Sequence, residues 1–163
     1  RAKNAGIDTA IVEKKCCKDR EEFESKIIEI LDGRGIDFIV LAGFMSILSE
    51  NFTNHYKDRI INVHPSLIPS FCGKGVYGLH VHEAALAKGV KVSGATVHIV
   101  TPECDAGPIV LQKAVEVKEG DTPEILQRRI MEEAEWKILP EAVKLFCDDR
   151  ITVDNNKVYV KGE

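Results

Sequence analysis

Residues 37–43 read DFIVLAG, an unbroken apolar run between Asp37 and Gly43. Such a run is the pattern of a strand covered on both faces of a parallel sheet. Upstream, DTAIVEK (8–14) is a short β candidate. Between the two, Asp19 stands as N-cap to a helix whose apolar stripe is Phe23, Ile27, Ile30 and Leu31 and which Gly33 and Gly35 stop. Strand, helix and strand make a βαβ unit, and the chain is read outward from it.

Downstream, RIINVH (59–64) is a strand ended by Pro65, because proline cannot extend a central ladder. A glycine-spaced loop, SFCGKGVYG (70–78), leads to a helix from about His80 to Lys88 closed by Gly89. KVSGATVHIV (91–100) and PIVLQKAVEV (108–117) read as strands around the turn TPECDAG. Asp121 or Thr122, with Pro123 in the first turn, opens a long helix to about Cys147, and ITVDNNKVYV turns as a hairpin at Asn155-Asn156. The expected fold is α/β, a mostly parallel central sheet flanked by helices with antiparallel additions late in the chain. The expectation is a single domain over residues 1–163. The opening RAKNAGI, without an initiator Met, reads as a helix end with a Gly stop, so the sequence is expected to enter mid-fold.

The chain balances 22 basic against 26 acidic residues, which leaves no excess positive charge for a phosphate backbone. Nucleic acid is not an expected partner. Five cysteines, two adjacent at Cys16 and Cys17 and none spaced CxxC, fit neither a disulfide framework nor a zinc ribbon. No apolar run approaches the ~18 residues of a membrane span. These features are read as a cytoplasmic protein without a membrane partner.

In open α/β sheets ligands bind beyond the carboxyl ends of strands. Asn62 and His64 sit at such an end and, two apart, share a face of the strand. Asp105 follows the next strand, beside Ala106 and Gly107, whose small side chains allow close backbone approach. Taken singly each has an ordinary reading: a turn-forming Asn, a core His, an Asp in a turn. Together they offer an amide donor, a proton carrier and an orienting carboxylate. Moving an acyl group between nitrogens needs that set, since an oxyanion donor is worth around 10²–10³ in rate and a placed acid or base about 10²–10⁴.

INVHPSLIPSF (61–71), GLHVHEAALAKGVKVSGATVHIV (78–100), ECDAGPIVLQ (103–112) and VLAGFMSIL (40–48) resemble the phosphoribosylglycinamide formyltransferases. The resemblance implies a Rossmann-like formyltransferase fold and formyl transfer from 10-formyltetrahydrofolate, a co-substrate, to the amine of glycinamide ribonucleotide in purine biosynthesis. It places the catalytic residues on Asn62, His64 and Asp105. It implies a folate pocket at Phe44, Met45, Ile47, Leu48 and Val100, and substrate contacts from His98 and Glu135. No metal is expected, and the protein is expected as a monomer or homodimer. The family's first strand and Gly-Ser-Asn phosphate loop are expected to lie upstream of Arg1. Ser46 stands where many members have Arg, Glu132 where some have a basic residue, and Cys104 where an aliphatic one is usual. Formyltetrahydrofolate deformylase, with water as acceptor, and a non-catalytic folate-binding domain are the alternatives.

Two further patterns have plainer readings. His80-Val81-His82 has no Asp or Cys partner at ligand spacing. GKGVYG (73–78) lacks the strand-to-helix placement of a dinucleotide site and reads as a mobile loop, with Phe71 and Tyr77 as the makings of a lid.

Overall fold

The computed structural model describes residues 1–44 and 46–162. Helix α1 (Arg20–Asp32) starts at Asp19, whose Oδ1 accepts from the Glu22 amide at 2.8 Å. Strand β1 (Ile39–Leu41) runs parallel to β2 (Ile60–His64), with Leu41 opposite Asn62. Short helix α2 (Glu50–His55) joins them, and α3 (Leu79–Lys88) leads into β3 (Val92–Ile99). β3 and β4 (Ile109–Glu116) add antiparallel, giving a mixed sheet of order β1-β2-β3-β4. A hairpin of β5 (Ile151–Asp154) and β6 (Lys157–Val160) turns at Asn155-Asn156 as read from the sequence. Helices flank a sheet whose parallel part is β1–β2 and whose late strands are antiparallel.

Two expectations fail at the start of the chain. DTAIVEK forms no strand: it has no ladder partner among the described residues, and Ile11 is 80% exposed. An isolated extended segment cannot satisfy its own backbone, so β propensity alone does not make a strand. DFIVLAG does form a strand, but only three residues pair, and Val40 is 38% exposed rather than covered on both faces. The buried strands are β2, with Ile60 and Ile61 fully enclosed, and β3, buried at every position after Val92.

The long helix also departs from a single α-helix. It runs as α4 (Pro123–Ile130), a π segment (Met131–Glu135) and α5 (Trp136–Cys147), with Thr122 as N-cap. The cause is in the spacing. Leu126, Ile130, Ala134, Ile138 and Ala142 are all buried and recur every fourth residue. At 3.6 residues per turn each step of four drifts about 40° around the axis, so an unbroken α-helix would rotate this row off the sheet. The wider π turn takes up part of that drift. The row packs with Ile61, Val97, Ile99, Val110 and Val115 into the main core, and Phe38 stacks on Phe146 at 4.6 Å. Each fully buried Leu or Ile contributes roughly 1.5–3 kcal/mol.

A second cluster lies on the other side of β2. Leu48, Phe52, Tyr56 and Ile60 form its buried centre, with Ile27, Ile28, Leu31, Phe44 and Val100 packed against it.

His82 on α3 is fully buried, and neither ring nitrogen has a hydrogen-bond partner among the described residues. Burial, reinforced by nearby His64, pushes its pKa down from 6.5 to about 4. The unfolded chain therefore binds this proton at higher pH than the folded one. Stability is intact above pH 6.5 and falls as pH drops toward 4. Burial of His82 is expected to contribute about 2 kcal/mol to the difference in urea unfolding free energy between pH 7 and pH 5, beside the contributions of other shifted groups such as His98. His82→Leu should remove most of that contribution, and an unchanged difference would refute the assignment.

Candidate active site

The site is set by the pairing of β2 with β3. Asn62 lies directly opposite His98, and His64 opposite Thr96. Period-two alternation then carries Asn62 and His64 to one face, with His98 across from them. Opposite His98 the ladder slips: Val97 pairs with Leu111 and His98 with Ile109, which leaves Val110 as an extra residue. Such a bulge bends the strand and re-aims the side chain beside it.

Two hydrogen bonds fix the His98 tautomer. Its Nδ1 lies 3.0 Å from the Ile99 carbonyl, which can only accept, so Nδ1 carries the proton. Nε2 is then free to accept from Asn62 Nδ2 at 3.3 Å. Burial lowers the His98 pKa, opposed by the Ile99 carbonyl and by Asp105. His64, 5% exposed, donates from Nε2 to the Phe71 carbonyl at 2.9 Å. Its Nδ1 edge faces Asp105.

Asp105 joins the two imidazoles. Its Oδ2 is 3.7 Å from His64 Nδ1 and its Oδ1 is 3.6 Å from His98 Nε2, beyond hydrogen-bonding reach, so each contact becomes an ion pair only when its imidazole is protonated. Oδ2 also accepts from the Gly73 amide at 2.9 Å and faces the Cys104 thiol at 3.6 Å. Burial first, and this carboxylate second, raise the Cys104 pKa. The Asp105 backbone has φ 54°, a left-handed conformation that costs a non-glycine residue of order 1 kcal/mol or more and marks sites where geometry outranks stability. Gly107 is needed for a reason the sequence did not suggest. A Cβ there would strike the Ile99 carbonyl, so the close approach is to β3 itself rather than to a ligand.

The turn after His64 is clamped from two strands. Thr96 Oγ1, fully buried, donates to the Ser66 carbonyl at 2.7 Å and accepts from the Ile68 amide at 3.1 Å. Gln112 Nε2 donates to both Thr96 Oγ1 and the Ile68 carbonyl at 3.0 Å. Loop 70–78 then returns Phe71 to His64 and Gly73 to Asp105. Sequence reasoning misses these contacts because they are made by backbone atoms and by a Thr and a Gln that spacing does not distinguish.

The remaining predicted positions separate. Phe44, Leu48 and Val100 meet in the second apolar cluster, and Val100 N donates to the Ile60 carbonyl at 2.8 Å. Ile47 beside them is 43% exposed, and Met45 lies outside the described residues. Glu135 ends the π segment, which packs on β3 and β4; burial raises its pKa, and no hydrogen bond or ion pair among the described residues ties it to the Asn62, His64, His98 and Asp105 group. His80 bonds outward to Glu83 at 2.8 Å while His82 is enclosed, so the two do not face a common ligand. No helix among the described residues is long and apolar enough to cross a membrane.

Comparison with known proteins shows the family. The sequence model described as formyl transferase matches residues 1–143. Phosphoribosylglycinamide formyltransferase of Escherichia coli K12 is 37% identical over the whole of this chain, which spans 74% of that protein. The human trifunctional purine biosynthetic protein adenosine-3 is 44% identical, again over the whole chain, which spans only 16% of that protein's length. Glycinamide ribonucleotide transformylase 1 of Symbiobacterium toebii superimposes with a TM-score of 0.90 at 41% identity, covering 98% of this chain and 72% of that one. A formyltetrahydrofolate deformylase from Pseudomonas syringae superimposes at 0.81 with 31% identity, over 97% of this chain and 51% of that one. The chain belongs to the formyl transferase family, on its phosphoribosylglycinamide formyltransferase branch.

Proposed function

We propose that this chain is a single catalytic domain that moves a formyl group from 10-formyltetrahydrofolate to the amine of glycinamide ribonucleotide, a step of purine biosynthesis. The observation that carries the reading is the convergence of Asn62, His64, His98 and Asp105 at one end of the β2–β3 pair. The formyl donor supplies an electrophilic carbonyl carbon and a nitrogen able to leave. Every other demand falls on the chain.

Attack by a neutral amine puts negative charge on the formyl oxygen and a surplus proton on the incoming nitrogen. Asn62 Nδ2 has two hydrogens; one is directed at His98, and the second is left for that oxygen. The His64 Nδ1 edge, when protonated, is a second donor. The surplus proton must leave the incoming nitrogen and reach the departing one before the old C–N bond breaks. Asp105, within 3.7 Å of both imidazoles, is the group proposed to carry it. Apolar Phe44, Ile47, Leu48 and Val100, with Met45, are proposed to hold the folate ring, and Glu135 with His98 to contact the ribonucleotide. Five free cysteines accord with a reducing cytoplasm. Monomer and homodimer are both compatible with the proposal.

Because deformylases share the scaffold, the deciding assay runs the formyl donor with and without glycinamide ribonucleotide and follows tetrahydrofolate by absorbance and formate separately. Tetrahydrofolate produced only with the amine, and no formate, is expected. Formate release that ignores the amine would assign water as the acceptor instead.

Asp105→Asn keeps the shape of the carboxylate but cannot carry a proton. Turnover is expected to drop about 10²–10⁴-fold, while tetrahydrofolate affinity stays within a few fold. Equal losses in rate and affinity would show that Asp105 acts through folding or binding.

A further inference from the structure

Helix α1 carries a buried charge that the proposed mechanism does not use. Glu24 is 4% exposed, on a helix whose other inward residues are apolar. A buried carboxylate costs several kcal/mol unless its oxygens are satisfied, so packing alone would favour leucine at this position. Its Oε1 accepts from the Ser49 amide at 2.9 Å and lies 3.2 Å from Arg20 Nε, which is half exposed and supplies the balancing charge.

Ser49 links Glu24 to the chain on either side of it. Its Oγ accepts from the Phe52 amide at 3.1 Å as the N-cap of α2, and its carbonyl accepts from the Thr53 amide and hydroxyl, each at 3.0 Å. With Glu24 on its N–H, Ser49 is held through every polar atom it has. The stretch just before it, residues 43, 44 and 46–48, makes no backbone–backbone hydrogen bond among the described residues. Residues 46–48 lead directly into Ser49 and carry Ile47, 43% exposed, beside the buried Leu48.

We infer that Glu24 is a positioning residue for binding of the formyl donor: through the Ser49 amide it fixes the downstream end of residues 46–48 and hence where Ile47 and Leu48 meet the folate ring. This rests on the proposed folate role of the segment. The effect falls on one substrate only, because no hydrogen bond or ion pair among the described residues connects Glu24 to the Asn62, His64 and Asp105 group or to Glu135.

The test compares Glu24→Leu, which removes the acceptor, with Glu24→Gln, which keeps an oxygen for the Ser49 amide. Ile130→Val serves as a control that loosens the main core away from the site. Tetrahydrofolate affinity is measured by calorimetry, KM for each substrate and kcat by assay, and amide exchange of residues 43–49 by mass spectrometry. Glu24→Leu is expected to weaken tetrahydrofolate binding and raise the donor KM about tenfold, with faster exchange in 43–49 and with kcat and amine KM within twofold. Glu24→Gln should recover most of the affinity, and Ile130→Val should leave it unchanged. Unchanged affinity in Glu24→Leu, no recovery in Glu24→Gln, or a fall of kcat with a parallel rise of both KM values would overturn the inference. A natural protein that binds tetrahydrofolate without transferring formyl would sink the proposed activity alone, and the affinity comparison would still decide the role of Glu24.

Discussion

The register of β2 against β3 is the constraint on which the rest of the molecule turns. Asn62 opposite His98 and His64 opposite Thr96 are consequences of one pairing. A slip of one residue would turn Asn62 and His64 toward the main core and carry the fully buried Ile61 out of it. The core and the site therefore stabilise the same register. No separate device is needed to keep the polar ends of these strands aligned.

Around that pair the loops are held by polar groups with little freedom to move. Thr96 and Gln112 clamp the turn after His64, and Phe71 and Gly73 return to His64 and Asp105. The cost is visible in two places: a left-handed backbone at Asp105 and a glycine at 107 that nothing larger can replace. Burial disfavours the protonated form of His98, and in the neutral ring the Ile99 carbonyl holds the proton on Nδ1, which leaves Nε2 to order the Asn62 amide.

Much of this is legible in the residues and some is not, for physical reasons. Apolar runs mark β2, β3 and β4 because burial on a sheet selects for them, and Asp19, Gly89 and Thr122 mark helix ends because caps satisfy free backbone groups. DTAIVEK misleads because a strand exists only with a neighbour, which no local pattern reports. The π segment is hidden because a row of apolar residues every four positions also suits an ordinary helix over two or three turns. Glu24 is hidden for the opposite reason: a charged residue on a charged helix reads as solvated, and only the fold brings the Ser49 amide to it. Asn62 and His64 can be paired by alternation along one strand, whereas the bond from Asn62 to His98 depends on register and the Asp105 contacts on a loop.

Asn62 and Asp105, on different elements and joined through His98, are held to act as one unit on the reacting group. A double-mutant cycle on kcat/KM for formyl transfer, with Asn62→Ala, Asp105→Ala and both together, measures this directly. The double variant is expected to be scarcely slower than the worse single variant, because removing either group already disables the unit. Losses that simply multiply would show two independent contributions and contradict the single unit.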